Sequence, residues 1–253
     1  MLVESRKTIL LIGLLTISTC VYAQESIPIG TILPIQLESS FSKKSQSGRL
    51  IKARVMQDVP FWNGTRIRAG ATVMGQVVAV TPPRTGKNAT ISFRFDTLLV
   101  SHHHTIPITT ELRALASMLE VDEAQLPASG PDRGTPPTAW TTVQVGGDEV
   151  VYRGGGHVMN ASEIVGEPVL NGVLVRIRPN SNRGCHGQID DSEQPQALWV
   201  FASDACGLYG FSDVNILNSG RDNPFGQIVL ASERNNLNIR RGSGMLLRII
   251  SPN

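Results

Sequence analysis

Short runs in which apolar residues alternate with polar ones, separated by turn-forming residues, dominate the first half of the chain. In one of them Ile51, Ala53 and Val55 alternate with charged residues, and similar runs follow at residues 71–80 and 89–100. A period of two is typical of a strand that buries one face. Strands this short, with turn residues about every 8–12 positions, predict a mainly β protein, built as an antiparallel sandwich or a small barrel.

Two of these runs carry more specific predictions. In the run at 89–100, Ile91, Phe93 and Phe95 fall on one face, which we expect to point into the core. An earlier run, which begins at residue 33, contains Pro34, and proline has no N–H group to give to a neighbouring strand. That proline predicts an edge strand or the start of a strand.

One short helix is expected near residues 111–124. Thr110 is a residue type that caps helices, and Leu112, Leu115 and Leu119 recur at the spacing of one helical face. The helix would pack against the β structure through this apolar face.

A segment rich in proline and glycine follows the helix and is the best internal boundary in the sequence. It divides the chain into a β-rich domain at 24–125, a linker or long loop at 126–147 and a second β-rich domain at 148–253. In the second domain the apolar run at 197–202 predicts a buried strand. The apolar runs after residue 226 predict closing strands joined by hairpins.

The first 23 residues follow the plan of a secretory signal peptide. Arg6 and Lys7 precede an apolar stretch, and Ala23 supplies the small residue before the expected cleavage site. The stretch is shorter than the roughly 20 residues of a membrane-spanning helix, although an uncleaved anchor and lipid modification of Cys20 stay open. The protein is therefore predicted to be secreted or periplasmic, with no integral membrane segment after cleavage.

The net charge of the chain indicates little about its partners. Removal of residues 1–23 lowers the formal charge from +2 to +1, because two cations and one acid are lost. Such near neutrality gives no electrostatic reason to expect nucleic acid or an anionic membrane. The partner is therefore unknown from the sequence, and a homo-oligomer or an envelope protein stays open.

Cys185 and Cys206 are the two cysteines left in the predicted mature chain. In an oxidising compartment such a pair predicts a disulfide, which would close a loop of about 20 residues and stabilise the fold by about 3 kcal/mol. A zinc site would need four ligands, and only His186 lies close by in the sequence. The C-x-x-C spacing of a redox pair is absent.

Other reactive residue types cluster without forming a recognisable site. Three adjacent histidines, His102–His104, fall where a hairpin is expected to turn, and neighbouring side chains in a strand point to opposite faces. Asp190, Asp191 and Glu193 share one polar loop, where we expect them to be solvated. The sequence has no G-x-S-x-G motif. We therefore expect no catalytic residue, no metal and no cofactor, although a hydrolase with an unrecognised site stays open.

Three segments of the first domain share a further pattern: IPIGT at 27–31, SGRLIKARV at 47–55 and WNGTRIRAGATVMGQV at 62–77. Together they resemble the β-barrel domain of TrbI-like proteins, which are scaffold components of conjugation and type IV secretion machines. The resemblance covers residues 27–110 and implies a β-barrel there. The rest of the chain resembles uncharacterised secreted bacterial β-rich proteins, which implies a compartment and no reaction.

The leading functional hypothesis is therefore a non-enzymatic, secreted or periplasmic β-rich protein with a structural or binding role in the cell envelope. One alternative is a TrbI-like component of an envelope secretion or conjugation assembly, and the other is the hydrolase.

Overall fold

The structure is a computed structural model that describes residues 27–61, 64–83, 88–101, 104–125, 139–147, 149–153, 157–160, 162–169, 172–176, 195–203, 205–234 and 237–252. The predicted signal peptide lies outside these ranges. The strands and the helix of the described residues are, in chain order, β1 (Ile32–Leu37), β2 (Phe41–Ser42), β3 (Leu50–Val55), β4 (Val59–Pro60), β5 (Arg66–Ile67), β6 (Thr72–Thr81), β7 (Ala89–Ser101), β8 (His104–Ala116), α1 (Met118–Gln125), β9 (Ala139–Val143), β10 (Glu149–Arg153), β11 (Val158–Asn160), β12 (Glu163–Val169), β13 (Gly172–Arg176), β14 (Pro195–Ala197), β15 (Gly207–Tyr209), β16 (Val214–Asn218), β17 (Ile228–Ser232), β18 (Asn238–Ile239) and β19 (Gly244–Pro252).

Six antiparallel strands close into a barrel. Their order around the barrel is β1, β3, β6, β7, β8 and β19, and β19 pairs with β1 to complete the circle. The strands β17 and β16 extend the sheet from β7, and the short strand β15 pairs in parallel with β8. The prediction of a mainly β, antiparallel fold is confirmed, and of its two alternatives the structure has the small barrel.

Alternation along the strands places apolar side chains inside the barrel. The predicted inner face of β7 is confirmed, because Ile91, Phe93 and Phe95 are buried while Arg94 is exposed. The ring centroids of Phe41 and Phe93 lie 4.9 Å apart. The neighbouring strands supply inward residues with the same period of two: Leu33, Ile35 and Leu37; Ile51, Ala53 and Val55; Val73 and Val77; Met245, Leu247 and Ile249.

A second sheet, in which β9 to β14 pair antiparallel in chain order, lies against one outer side of the barrel. It contributes Val158, Val173 and Val175 to a second apolar cluster. From the barrel strands β1, β8 and β19 this cluster receives Ile32, Ala114, Ala116 and Leu246, and from α1 it receives Val121. Where they meet this cluster, these three barrel strands are therefore buried on both faces.

Buried glutamine side chains join the second sheet to the barrel. The amide nitrogen of Gln57 donates to the carbonyl oxygen of Val173 at 2.5 Å, and its oxygen accepts a hydrogen bond from the backbone N–H of Trp199. In the other direction, the backbone N–H of Ile32 in β1 donates to Gln196 Oε1 at 3.1 Å. The contact between the two sheets is thus specified by hydrogen bonds as well as by apolar packing.

The helix begins later in the sequence than predicted. Strand β8 continues through Ala116, and α1 covers Met118–Gln125. Residues 111–116 are all buried, because the barrel interior lies on one side of them and the second apolar cluster on the other. Glu111 and Arg113 are buried with their neighbours, so no exposed polar face marks the strand, and Leu112 and Leu115 also match a helical spacing.

Of the two alternatives predicted around Pro34, the edge strand is wrong, because β1 lies between β3 and β19. The strand start fits better, since β1 begins at Ile32, two residues before the proline. The proline is tolerated because β3 pairs only with Ile35–Leu37, so the missing N–H group falls beyond the paired part of β3. The Pro34 carbonyl oxygen still accepts a hydrogen bond from the backbone N–H of Met56 at 2.9 Å.

The apolar run at 197–202 is buried as predicted, but most of it is a turn. Strand β14 ends at Ala197, the backbone N–H of Phe201 donates to the Leu198 carbonyl oxygen at 3.0 Å, and Trp199 has a positive φ of 54°. The predicted closing strands are present as β17, β18 and β19, but the prediction that hairpins join them is wrong, since β18 pairs with β2 and β19 pairs with β1 and β8.

The strand pairing crosses the predicted boundary at 126–147. Strands β17 and β19 from the last part of the chain belong to the same sheet as the strands of residues 32–116, while β9 covers Ala139–Val143 within the predicted linker. The described residues contain no helix with the length and apolar character of a membrane span.

Candidate functional site

The short ladder between β2 and β18 brings two basic stretches of the chain together. Ser42 pairs with Asn238, and Phe41 pairs with Ile239. Lys43 and Lys44 directly follow β2, and the sequence continues from β18 into Arg240-Arg241. Two dibasic pairs that are far apart in the sequence therefore flank one ladder.

Local hydrogen bonds fix the backbone that carries these cations. The carbonyl oxygen of Ser40 accepts a hydrogen bond from Arg49 Nη2 at 2.9 Å, and Ser40 Oγ accepts one from the backbone N–H of Arg241 at 2.8 Å. In the turn after β2, the backbone N–H of Ser42 donates to Ser45 Oγ at 3.0 Å, and the N–H of Lys44 donates to Ser42 Oγ at 3.2 Å. Arginines from both stretches thus contact the same serine.

We call Lys43, Lys44, Arg49, Arg240 and Arg241 the basic surface; all five are exposed. Within the part of the chain that the structure describes, no carboxylate lies within ion-pair distance of Lys44, Arg240 or Arg241.

The local net charge around the basic surface is much more positive than the net charge of the whole chain. Residues 38–54 and 233–241 contain eight lysines and arginines but two glutamates, a net charge of +6, whereas the whole chain carries +2. Two further cations beside the basic surface, Lys52 and Arg54, lie 3.0 and 3.4 Å from the Glu38 carboxylate. A concentration of positive charge on one face is the electrostatic footprint of an anion-binding surface.

One exposed leucine lies within this region. Leu50 is the first residue of β3 and is 73% exposed, although the other outward residues of β3 are the charged Lys52 and Arg54. It directly follows Arg49, whose side chain contacts Ser40. The region therefore presents one large apolar side chain that follows Arg49 in the sequence and shares a strand face with Lys52 and Arg54.

A second surface feature is the loop of residues 218–226, here called the Phe225 loop. The side-chain amide of Asn218 donates to the carbonyl oxygens of Asp222 at 3.2 Å and Pro224 at 3.4 Å. Phe225 itself is 56% exposed, and Leu217, directly before the loop, is 63% exposed. The loop thus has a fixed backbone that presents apolar side chains to solvent.

An ion network attaches the Phe225 loop to the barrel. The guanidinium of Arg221 binds both carboxylate oxygens of Glu111 in β8, with Nε–Oε2 at 2.9 Å and Nη2–Oε1 at 3.1 Å. Arg248 in β19 lies 3.5 Å from the same carboxylate. Because Glu111 and Arg248 are almost fully buried, this two-point contact is an important anchor for the loop.

The residues singled out in the sequence do not converge in the described part of the structure. His104 is exposed at the start of β8, and Ser101 pairs with it, which confirms the predicted hairpin. The other two histidines of that run, the acids at 190–193 and Cys185 lie outside the described residues. Cys206 is described, and its backbone N–H donates to the Tyr209 hydroxyl at 2.9 Å. Because its predicted partner Cys185 lies outside the described residues, the disulfide stays a prediction.

Among the described residues, no group of three or more histidine, cysteine, aspartate or glutamate side chains is placed to hold a metal ion. The basic surface has a different chemical capacity: several cations on a rigid backbone bind anions by charge and hydrogen bonds. Sequence reasoning missed it because charge was counted over the whole chain. The available signal was the pair of dibasic steps, Lys43-Lys44 and Arg240-Arg241.

Comparison of the chain with protein-family models, curated proteins and solved structures found no match.

Proposed function

We propose that this chain is a non-enzymatic binding protein of the cell envelope, secreted or periplasmic, whose basic surface binds phosphate-bearing anionic material. The observation that carries this proposal is the net charge of +6 in two segments that the β2–β18 ladder joins. The barrel would act as a rigid support for that surface.

The fixed backbone of the basic surface supports binding rather than transient attraction. Ser40 and Ser42 hold the turns that carry the cations, so few backbone degrees of freedom are lost when an anion binds. Lysine and arginine in this arrangement favour a ligand with several phosphates spaced along a chain or a surface.

The test is the salt dependence of binding to long-chain polyphosphate, measured by isothermal titration calorimetry on the mature chain. Five phosphate contacts predict that the logarithm of the binding constant falls with the logarithm of salt concentration with a slope of about −4. Replacing Lys43 and Lys44 by serine should reduce that slope to about −2, because two contacts are removed.

The matched control replaces Arg66 and Arg68 by serine. Both arginines are exposed and lie near the opposite end of β3, where Gly70 N–H donates to the Val55 carbonyl oxygen at 2.8 Å. The control removes the same charge, so it should leave the slope near its original value. Equal weakening by the two double variants, or no binding by the unaltered protein at about 50 mM salt, would overturn the proposal.

A TrbI-like role in an envelope assembly is a second candidate. It rests on the resemblance of three sequence segments, at 27–31, 47–55 and 62–77, of which the last two include β3 and much of β6. Light scattering coupled to size-exclusion chromatography tests it: a scaffold forms a defined high-order oligomer, and a monomer excludes this role.

A further inference from the structure

We infer that the basic surface binds the headgroups of an anionic lipid membrane, with Leu50 inserted between them as an apolar anchor. This inference rests on the proposed function, because it names the source of the phosphate groups. Binding at a membrane surface combines electrostatic attraction to anionic lipids with burial of apolar side chains at the headgroup boundary.

The position of Leu50 is the first observation behind this inference. The strand pattern of β3 puts its side chain on the outer face of the barrel, where water surrounds 73% of it. Single exposed leucines are common on protein surfaces. This one is distinctive because it directly follows Arg49 and shares its outer face with Lys52 and Arg54.

The backbone around Leu50 is held in place before any ligand binds. The N–H of Gly48 donates to the Val77 carbonyl oxygen at 2.8 Å, and the N–H of Val77 donates to the Arg49 carbonyl oxygen at 2.9 Å. Ser47 Oγ donates to the Val78 carbonyl oxygen at 2.6 Å. The leucine is therefore presented on a rigid turn, so its burial in lipid requires little ordering of the chain.

The residue types of the surface favour lipid over nucleic acid. Proteins that bind single-stranded nucleic acid without sequence preference stack bases on exposed aromatic rings. The aromatic residue nearest the cations in sequence, Phe41, is buried in the barrel against Phe93. An aliphatic side chain flanked by long basic side chains instead suits the boundary between headgroups and acyl chains.

The experiment measures co-sedimentation of the mature protein with vesicles of phosphatidylcholine alone, or with about 30% phosphatidylglycerol. We expect binding to the anionic vesicles and little binding to the neutral ones. Replacing Lys43 and Lys44 by serine should lower the partition coefficient about 30-fold, because each loss of about 1.4 kcal/mol of binding free energy lowers it tenfold. Leu50→Ser should weaken it about tenfold and leave polyphosphate binding unchanged.

Leu217→Ser is the matched control for the leucine, since it removes another exposed leucine from a strand that is distant in the sheet order from β3. Its partition coefficient should stay within about twofold of the unaltered protein. Circular dichroism and a thermal melt on each variant show whether it is folded.

The outcomes separate this inference from the function on which it rests. Polyphosphate binding without vesicle binding, or equal effects of Leu50→Ser and Leu217→Ser, overturns the membrane inference and leaves the proposed function in place. Binding to neither ligand overturns both. Binding to single-stranded DNA that is as tight as vesicle binding and insensitive to Leu50→Ser also overturns the membrane inference.

Discussion

Substitution of Gln57 by methionine tests whether hydrogen bonds hold the second sheet against the barrel. Methionine has nearly the length and volume of glutamine, so the change removes the two hydrogen bonds and creates little cavity. Gln57 is fully buried, and both of its partners, the Val173 carbonyl and the Trp199 N–H, are backbone groups.

The expected loss of stability follows from what each partner retains. The Val173 carbonyl oxygen keeps a long contact with the Leu198 N–H at 3.5 Å. Losing the hydrogen bond from Gln57 therefore costs about 1 kcal/mol, the value of one neutral hydrogen bond. The Trp199 N–H becomes a buried donor without its acceptor, which costs about 1–3 kcal/mol. Burial of the more apolar methionine offsets part of this, leaving a net loss of about 2–3 kcal/mol.

Urea unfolding, followed by tryptophan fluorescence and by circular dichroism, measures this difference. The control is Gln46→Met at an exposed position, which should change the free energy of unfolding by less than about 0.5 kcal/mol. The reasoning is refuted if Gln57→Met is no more destabilising than the control. It is also refuted if the two probes show the second sheet unfolding separately in the unaltered protein, since the bonds would then not couple the two sheets.

The remaining predictions concern three other sites. Glu111→Gln removes a buried carboxylate that binds two arginine side chains, so unfolding should become easier by about 3 kcal/mol and proteases should cleave the Phe225 loop faster; unchanged cleavage contradicts this. Gly75→Ala would place a Cβ 2.0 Å from the Arg94 carbonyl oxygen, and the melting midpoint should drop with a loss of about 3 kcal/mol, whereas an unchanged midpoint argues against this close contact. A disulfide between Cys185 and Cys206 predicts a mass 2 Da higher after reduction, about one per thiol formed, and two free thiols in the untreated protein disprove it.

The sequence predicted those parts of the fold in which one face of a strand meets water. In β3 and β7, charged outward residues mark the period of two, and the inward faces that it predicts are the ones found inside the barrel. The pattern failed where both faces are covered. Residues 111–116 of β8 are buried throughout, Glu111 and Arg113 included, and the run at 197–202 is apolar throughout. Local spacing cannot distinguish a strand, a helix and a buried turn in such runs.

The two dibasic steps are visible in the sequence, but their juxtaposition was not predictable from any local window. This juxtaposition depends on the ladder between β2 and β18, each of which is two residues long and too short to leave a periodic signal. The total charge concealed it further, because the remaining residues carry a net charge of −4 and the whole chain therefore only +2. Only the three-dimensional pairing shows that the two dibasic steps flank one ladder, one step beyond each end.

The position of β19 has a consequence for how the protein is made. Ile35 of β1 pairs with Met245 of β19, so the barrel is completed by residues 210 positions apart. While a nascent chain emerges, β1 and β8 present unpaired edges until residues 244–252 arrive, and such edges recruit other chains. Contacts this distant also slow folding. The barrel can therefore close only after residues 244–252 have been synthesised.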